Sequence, residues 1–101
     1  RVYYHVDTPH STAADKLLAE ALKAAIDKAF PDGKAVGVRD MHGEDCYTVL
    51  YRTTVPSVLI EIGFISNAGD AARLTDEDFR RTFSDAVCNA IDAYFGAPTE
   101  E

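Results

Sequence analysis

Positive charge is scarce in this chain. Ten Lys and Arg stand against seventeen Asp and Glu, for a formal net charge of −7 over 101 residues. A nucleic-acid surface needs a concentration of Lys and Arg to neutralise phosphates, and the sequence has none. Long hydrophobic runs are missing too: nothing approaches the roughly 20 apolar residues that cross a bilayer, and the first residues do not have the shape of a secretory leader. Cysteine occurs twice, as Cys46 and Cys88, at neither the spacing of a thioredoxin-like pair nor that of a zinc knuckle. The two read as ordinary thiols. A disulfide would need their Cα atoms within about 7 Å, which spacing does not decide. No spaced histidine pair of the HExxH kind occurs, and there is no internal repeat or low-complexity tract. The chain opens on Arg1 rather than Met, as expected of a processed or excised piece.

What is present is enough for one modest core, since 47% of the residues are apolar and the length suits one domain or part of one. Val2, Tyr3, Tyr4 and Val6 predict a short strand broken by Asp7-Thr8-Pro9-His10. Thr12 followed by Asp15 resembles a capping pair. Leu18, Ala21, Leu22, Ala25, Ile26, Ala29 and Phe30 then recur at helical spacing until Pro31-Asp32-Gly33. The opposite face of this helix, with Asp15, Lys16, Glu20, Lys23, Asp27 and Lys28, is expected in water. Val36 and Val38 suggest an irregular strand, and Cys46 to Tyr51 fits either a strand or a short helix closed by Val55-Pro56. Near the end, Thr75 with Asp78 suggests another cap. Phe79, Phe83, Ala86, Val87, Ala90, Ile91 and Tyr94 form an apolar stripe running down to Gly96. The order of elements is α/β, with helices packed on a mostly parallel or mixed sheet.

The most informative stretch is Pro56-Ser57-Val58-Leu59-Ile60-Glu61-Ile62-Gly63-Phe64-Ile65-Ser66-Asn67. Side chains alternate along a strand, so Val58, Ile60 and Ile62 share one face and Leu59, Glu61 and Gly63 the other. Both faces are largely apolar, the pattern of a central strand in a helix-covered sheet. A carboxylate in such a run is costly unless it is paired, hydrogen-bonded or beside a metal. Gly63 marks a bend or a close backbone approach, and Ser66-Asn67-Ala68-Gly69-Asp70 supplies turn and cap residues. Glu61 therefore falls at the carboxyl end of its strand, the edge where ligands bind in open α/β sheets.

This stretch resembles the signature near the end of the zinc-dependent N-acetylmuramoyl-L-alanine amidases, bacterial enzymes that cut the bond between the glycan and the stem peptide of peptidoglycan. The resemblance extends to Val2-Tyr3-Tyr4, to the helix from Ser11 through Leu22, to Val49-Leu50-Tyr51-Arg52 and to Asp70-Ala71-Ala72-Arg73-Leu74. It implies that residues 1–96 are the C-terminal half of an amidase catalytic domain of the phosphorylase/hydrolase-like kind, with 97–101 a tail or linker. The family's metal ligands, two histidines and a glutamate, lie upstream of where this sequence starts, so the resemblance implies zinc as cofactor but no metal ligand within the chain. It assigns Glu61 the part of general base, and it implies peptidoglycan glycan and stem peptide as partners, together with the upstream half of the domain. An extracellular, periplasmic or cell-wall location follows from the substrate. The competing reading is a catalytically silent wall-binding or assembly module of the same fold.

Other residues carry weaker signals. Glu61 has a structural alternative, an ion pair with Arg52 or Arg73. Arg52 itself suits bidentate binding of a substrate carboxylate and is equally suited to a structural pair. His5, His10 and His42 read as surface histidines of loops. Asp7, Asp45 and Asp70 read as turn or cap residues. Tyr3, Tyr4, Tyr47 and Tyr51 fit packing positions better than a sugar groove.

Overall fold

A computed structural model describes residues 1–5, 13–31, 37–41, 47–52 and 54–96 of the chain. In chain order it contains β1 (Val2–His5), α1 (Ala13–Ala29), β2 (Val38–Met41), α2 (Thr48–Tyr51), β3 (Leu59–Ile60), α3 (Ala68–Leu74) and α4 (Glu77–Tyr94). The three strands form one sheet in the order β2-β1-β3. β1 runs parallel to β2, with Val2 opposite Val38, and antiparallel to β3, with Val2 opposite Ile60. The sheet is therefore mixed, with helices packed on it, and the α/β reading holds.

β1 is central, and all four of its residues are buried. Val2 and Tyr4 join Leu18, Ala19 and Leu22 of α1 and Ala90 of α4 in the core, flanked by Val58, Ile60, Val87 and Tyr94. Alternation turns Tyr3 and His5 to the other face. There the Tyr3 ring meets Tyr47, the residue before α2, edge-on with centroids 5.8 Å apart. Cys46 to Tyr51 thus resolves, where it is described, into a helix rather than a strand, with Leu50 buried.

α1 and α4 lie antiparallel. The Tyr94 hydroxyl, at the end of α4, donates to the Ala14 carbonyl at the start of α1 over 3.2 Å. At the opposite end Phe30 sits 5.0 Å from Phe79 and 6.5 Å from Phe83, ring centre to ring centre. The α4 stripe holds for Phe79, Phe83, Ala86, Val87, Ala90 and Tyr94, all buried or half-buried, but Ile91 is 39% exposed. At about 100° per residue Ile91 falls roughly 90° from the centre of that stripe.

Helix ends depart from the expected pairs. Asp76, not Thr75, caps α4, accepting from the Phe79 N–H at 2.8 Å. Thr75 instead closes α3, its hydroxyl donating to the Ala71 carbonyl at 2.8 Å. Gly96, at φ 70°, terminates α4 in the left-handed region that glycine tolerates. Thr12, His10, His42, Cys46 and the tail 97–101 lie outside the described residues, as do Asp7 and Asp45. Cys88 is an exposed free cysteine on α4.

Two expectations about burial are overturned. Asp15 is not on the wet face of α1: it is 3% exposed and accepts the Ser57 N–H at 3.0 Å. Its position three and seven residues before Leu18 and Leu22 places it in their row. His5 is likewise fully buried within β1 rather than in a surface loop. The stretch around Glu61 also differs from the buried central strand read from its pattern. β3 is two residues long, half-buried, and at the sheet's edge. Beyond it Ile62, Phe64 and Ile65 are 49%, 61% and 73% exposed. Val58 and Ile60 pack against the core between α1 and α4, while Ile62 on the same face stays exposed, so the apolar pattern of this segment is covered only in part.

Candidate active site

Glu61 follows β3 directly and continues its ladder by one pair. The Glu61 N–H donates to the Arg1 carbonyl at 2.8 Å, and the Arg1 nitrogen donates to the Glu61 carbonyl at 2.9 Å. Two residues that exchange both bonds in an antiparallel pair carry their side chains on the same face. Ile60 packs toward the helices, so Glu61, Arg1 and Tyr3 project from the opposite face. Arg1 Nη1 lies 3.4 Å from the Tyr3 hydroxyl. That hydroxyl, and to a lesser degree Glu61, holds the Arg1 guanidinium further toward its charged form.

Glu61 is half-buried and lines a shallow hollow of about 180 Å³ together with Arg1, Ile62, Gly63, Phe64 and Asp70. The hollow combines one cation, two carboxylates and an apolar rim. It lies at the carboxyl end of β3 but, because β3 is antiparallel to β1, at the amino end of β1 and β2. The carboxyl-edge rule for parallel sheets therefore does not account for this site.

The floor of the hollow is built by the turn between β3 and α3. Asn67 caps α3, accepting the Asp70 N–H at 2.9 Å. Asp70 reaches back to accept the Phe64 N–H at 3.0 Å, and its other oxygen accepts from Arg73. Arg73 is thus engaged with Asp70. Arg52 is exposed just after α2 and is not among the residues lining the hollow. Arg1 and Asp70 are the site residues that sequence reasoning missed. Asp70 stands three residues after a capping Asn, which signals a cap but not its reach to Phe64; Arg1 is recognisable only from the ladder.

Among the described residues no three His, Cys, Asp or Glu side chains come together as a metal would require. The hollow offers two carboxylates, and one of them is already bonded to Phe64 and Arg73. That donor set does not by itself fit zinc, which takes at least three protein ligands in catalytic sites.

The molecule is thus a mixed α/β layer that holds a glutamate at a strand end, beside an arginine and above a capped turn. Residues 1–93 match the family described as N-acetylmuramoyl-L-alanine amidase, and the chain belongs to that family. Among its relatives is the probable cell wall amidase LytH of Staphylococcus aureus, 32% identical over 98 residues that make up 95% of this chain and 29% of that protein. The protein of the same name from Staphylococcus epidermidis (strain ATCC 12228 / FDA PCI 1200) is 31% identical over 96 residues, 95% of this chain and 29% of its own. An uncharacterized protein, YqiI, of Bacillus subtilis (strain 168) is 40% identical over 57 residues, 56% of this chain and 27% of that protein. The chain therefore spans less than a third of the length of these curated relatives.

Proposed function

We propose that this chain is the C-terminal part of a cell-wall amidase that hydrolyses the amide between N-acetylmuramic acid and L-alanine in peptidoglycan, with Glu61 as its general base. The observation that carries the reading is the setting of Glu61: a half-buried glutamate at a strand end, its backbone bonded to Arg1, among the residues that line a hollow. A base must reach both water and substrate while its backbone stays fixed, and this arrangement meets both needs. Glu61 takes a proton from the attacking water as the new C–O bond forms at the muramyl carbonyl. It returns that proton to the alanine nitrogen as the C–N bond breaks.

Zinc, when bound, supplies polarisation of the water and the carbonyl. Its ligands are proposed to come from a preceding part of a longer chain, so the 101 residues alone are expected to be inactive. The exposed apolar side chains of Ile62, Phe64 and Ile65 fit a surface that further protein covers. Arg1, beside Glu61, is suited to a carboxylate of the stem peptide, and Arg52 is proposed as a second, outlying cation for the same purpose. The place of action is the cell wall.

The test is Glu61→Gln in the full-length protein, which keeps shape and some hydrogen bonding but removes the proton acceptor. Turnover should fall by about 10²- to 10⁴-fold with zinc content and melting temperature unchanged. Near-normal release of soluble wall fragments by Glu61→Gln would remove Glu61 from the mechanism, whereas no release by the unaltered full-length protein would favour a silent wall-binding module.

A further inference from the structure

Glu61 is anchored from behind by its two backbone bonds to Arg1, but ahead of it the chain leaves the sheet. Residues 61–64 belong to no helix or strand. Their next attachment is the Phe64 N–H, held by Asp70 at 3.0 Å. The carboxylate that holds it is itself held, because its second oxygen accepts from Arg73, one turn further along α3, and its own N–H is fixed on the Asn67 side chain at 2.9 Å. Asp70 is thus gripped from both its ends, and it grips the loop that carries Glu61.

Gly63 shows how close this contact is. A Cβ there would lie 3.1 Å from Asp70 Cγ, 3.2 Å from its Cβ and 3.3 Å from Oδ2. No left-handed backbone requires glycine at 63, since Gly96 is the glycine with positive φ among the described residues. Gly63 is accommodated by proximity: the backbone two residues after Glu61 rests on the Asp70 side chain, and a methyl group would push the two apart.

We propose that Asp70 is a positioning residue for Glu61, setting through the Phe64 N–H and the Gly63 contact the path of the loop and hence the aim of the catalytic carboxylate. This rests on Glu61 being the general base. A structural cap would hold α3 and leave the chemistry alone, whereas a positioning residue changes turnover on folded protein. Displacement of a reacting group by about 1 Å is enough to lower rates up to about 100-fold.

The experiment compares Asp70→Ala, Asp70→Asn, Gly63→Ala, the double variant Gly63→Ala/Asp70→Ala, and Glu61→Gln in the full-length protein with zinc bound. The substrate is a soluble muramoyl peptide, and kcat and KM are measured separately alongside melting temperature. Asp70→Ala should lower kcat about 10- to 100-fold with KM within about twofold. Asp70→Asn keeps an oxygen to accept from Phe64 and should restore most of that loss. Gly63→Ala should lower kcat about 10-fold, and the double variant should fall short of the product of the two single losses, because removing the carboxylate already releases the Phe64 N–H and takes away two of the three atoms the methyl would meet, leaving only the Cβ of residue 70. If Asp70→Ala does not fold, the Asn and Gly63 variants decide the matter. Wild-type kcat in Gly63→Ala, or losses that multiply in the double variant, would overturn the proposal. Should Glu61→Gln be inactive while Asp70→Ala turns over normally, only the positioning role fails. An active Glu61→Gln brings down the general base and the positioning role together.

Discussion

Asp15 is an acid in an apolar row. Burial raises its pKa above the ordinary value of 3.8, and the Ser57 N–H and the nearby His5 offset only part of that rise. A raised carboxylate holds its proton more tightly folded than unfolded. Its contribution to stability is complete below 3.8 and is lost as pH rises through the higher, folded-state value. Asp15→Asn removes the titration and keeps an oxygen for Ser57, so it should flatten the fall in stability between 3.8 and that higher value; denaturation midpoints across the acid range would show this, and an unchanged slope would mean that Asp15 has the same pKa folded and unfolded. At this scale the sequence marked Glu61 out as one carboxylate in an apolar run. It did not mark Asp70, because an aspartate three residues after Asn67 has the pattern of a helix start. Its bond to the Phe64 N–H exists only through the path of the turn. Asp15 was within reach of the same helical count that identified Leu18 and Leu22, and its charge argued for the wrong face.

The pairing of α1 with α4 is the principal contact between elements, closed at one end by Tyr94 on Ala14 and at the other by the Phe30, Phe79 and Phe83 rings. Leu22, 2% exposed at its centre, should cost about 2 to 5 kcal/mol when truncated to Ala. Ile91→Ala, on the exposed edge of α4, should cost less than about 1 kcal/mol. Phe83, half-buried, should fall below the roughly 3 to 5 kcal/mol of a fully buried phenylalanine. Urea melts of the full-length protein rank the three, and an Ile91 loss equal to that of Leu22 would contradict the observed helix rotation. Both long helices were legible because a 3.6-residue period over 17 and 18 residues leaves few alternatives. β3 was not, because an apolar run tells neither how many of its residues find a partner strand nor which edge it occupies. The short α2 was ambiguous for the same reason of length.

For the whole molecule, the metal is the sharpest expectation. With no three-donor cluster among the described residues, isothermal titration of the 101-residue chain should give no tight stoichiometric zinc binding, in contrast to the full-length protein. Tight binding by the chain alone would place ligands within it and alter the division proposed above. By itself, the sequence determined the α/β class, the two long helices, the family signature from Pro56 to Asn67 and the singular position of Glu61. Those follow from periodicity and from the cost of a charge among apolar side chains, both properties of a few neighbouring residues. Only the tertiary structure decided that β3 is an antiparallel edge strand, that Arg1 stands beside Glu61 across 60 residues of chain, and that Asp15 is buried. Those are matters of which distant backbone groups pair and which face is covered, and no local pattern encodes a hydrogen bond whose partner is chosen by the fold.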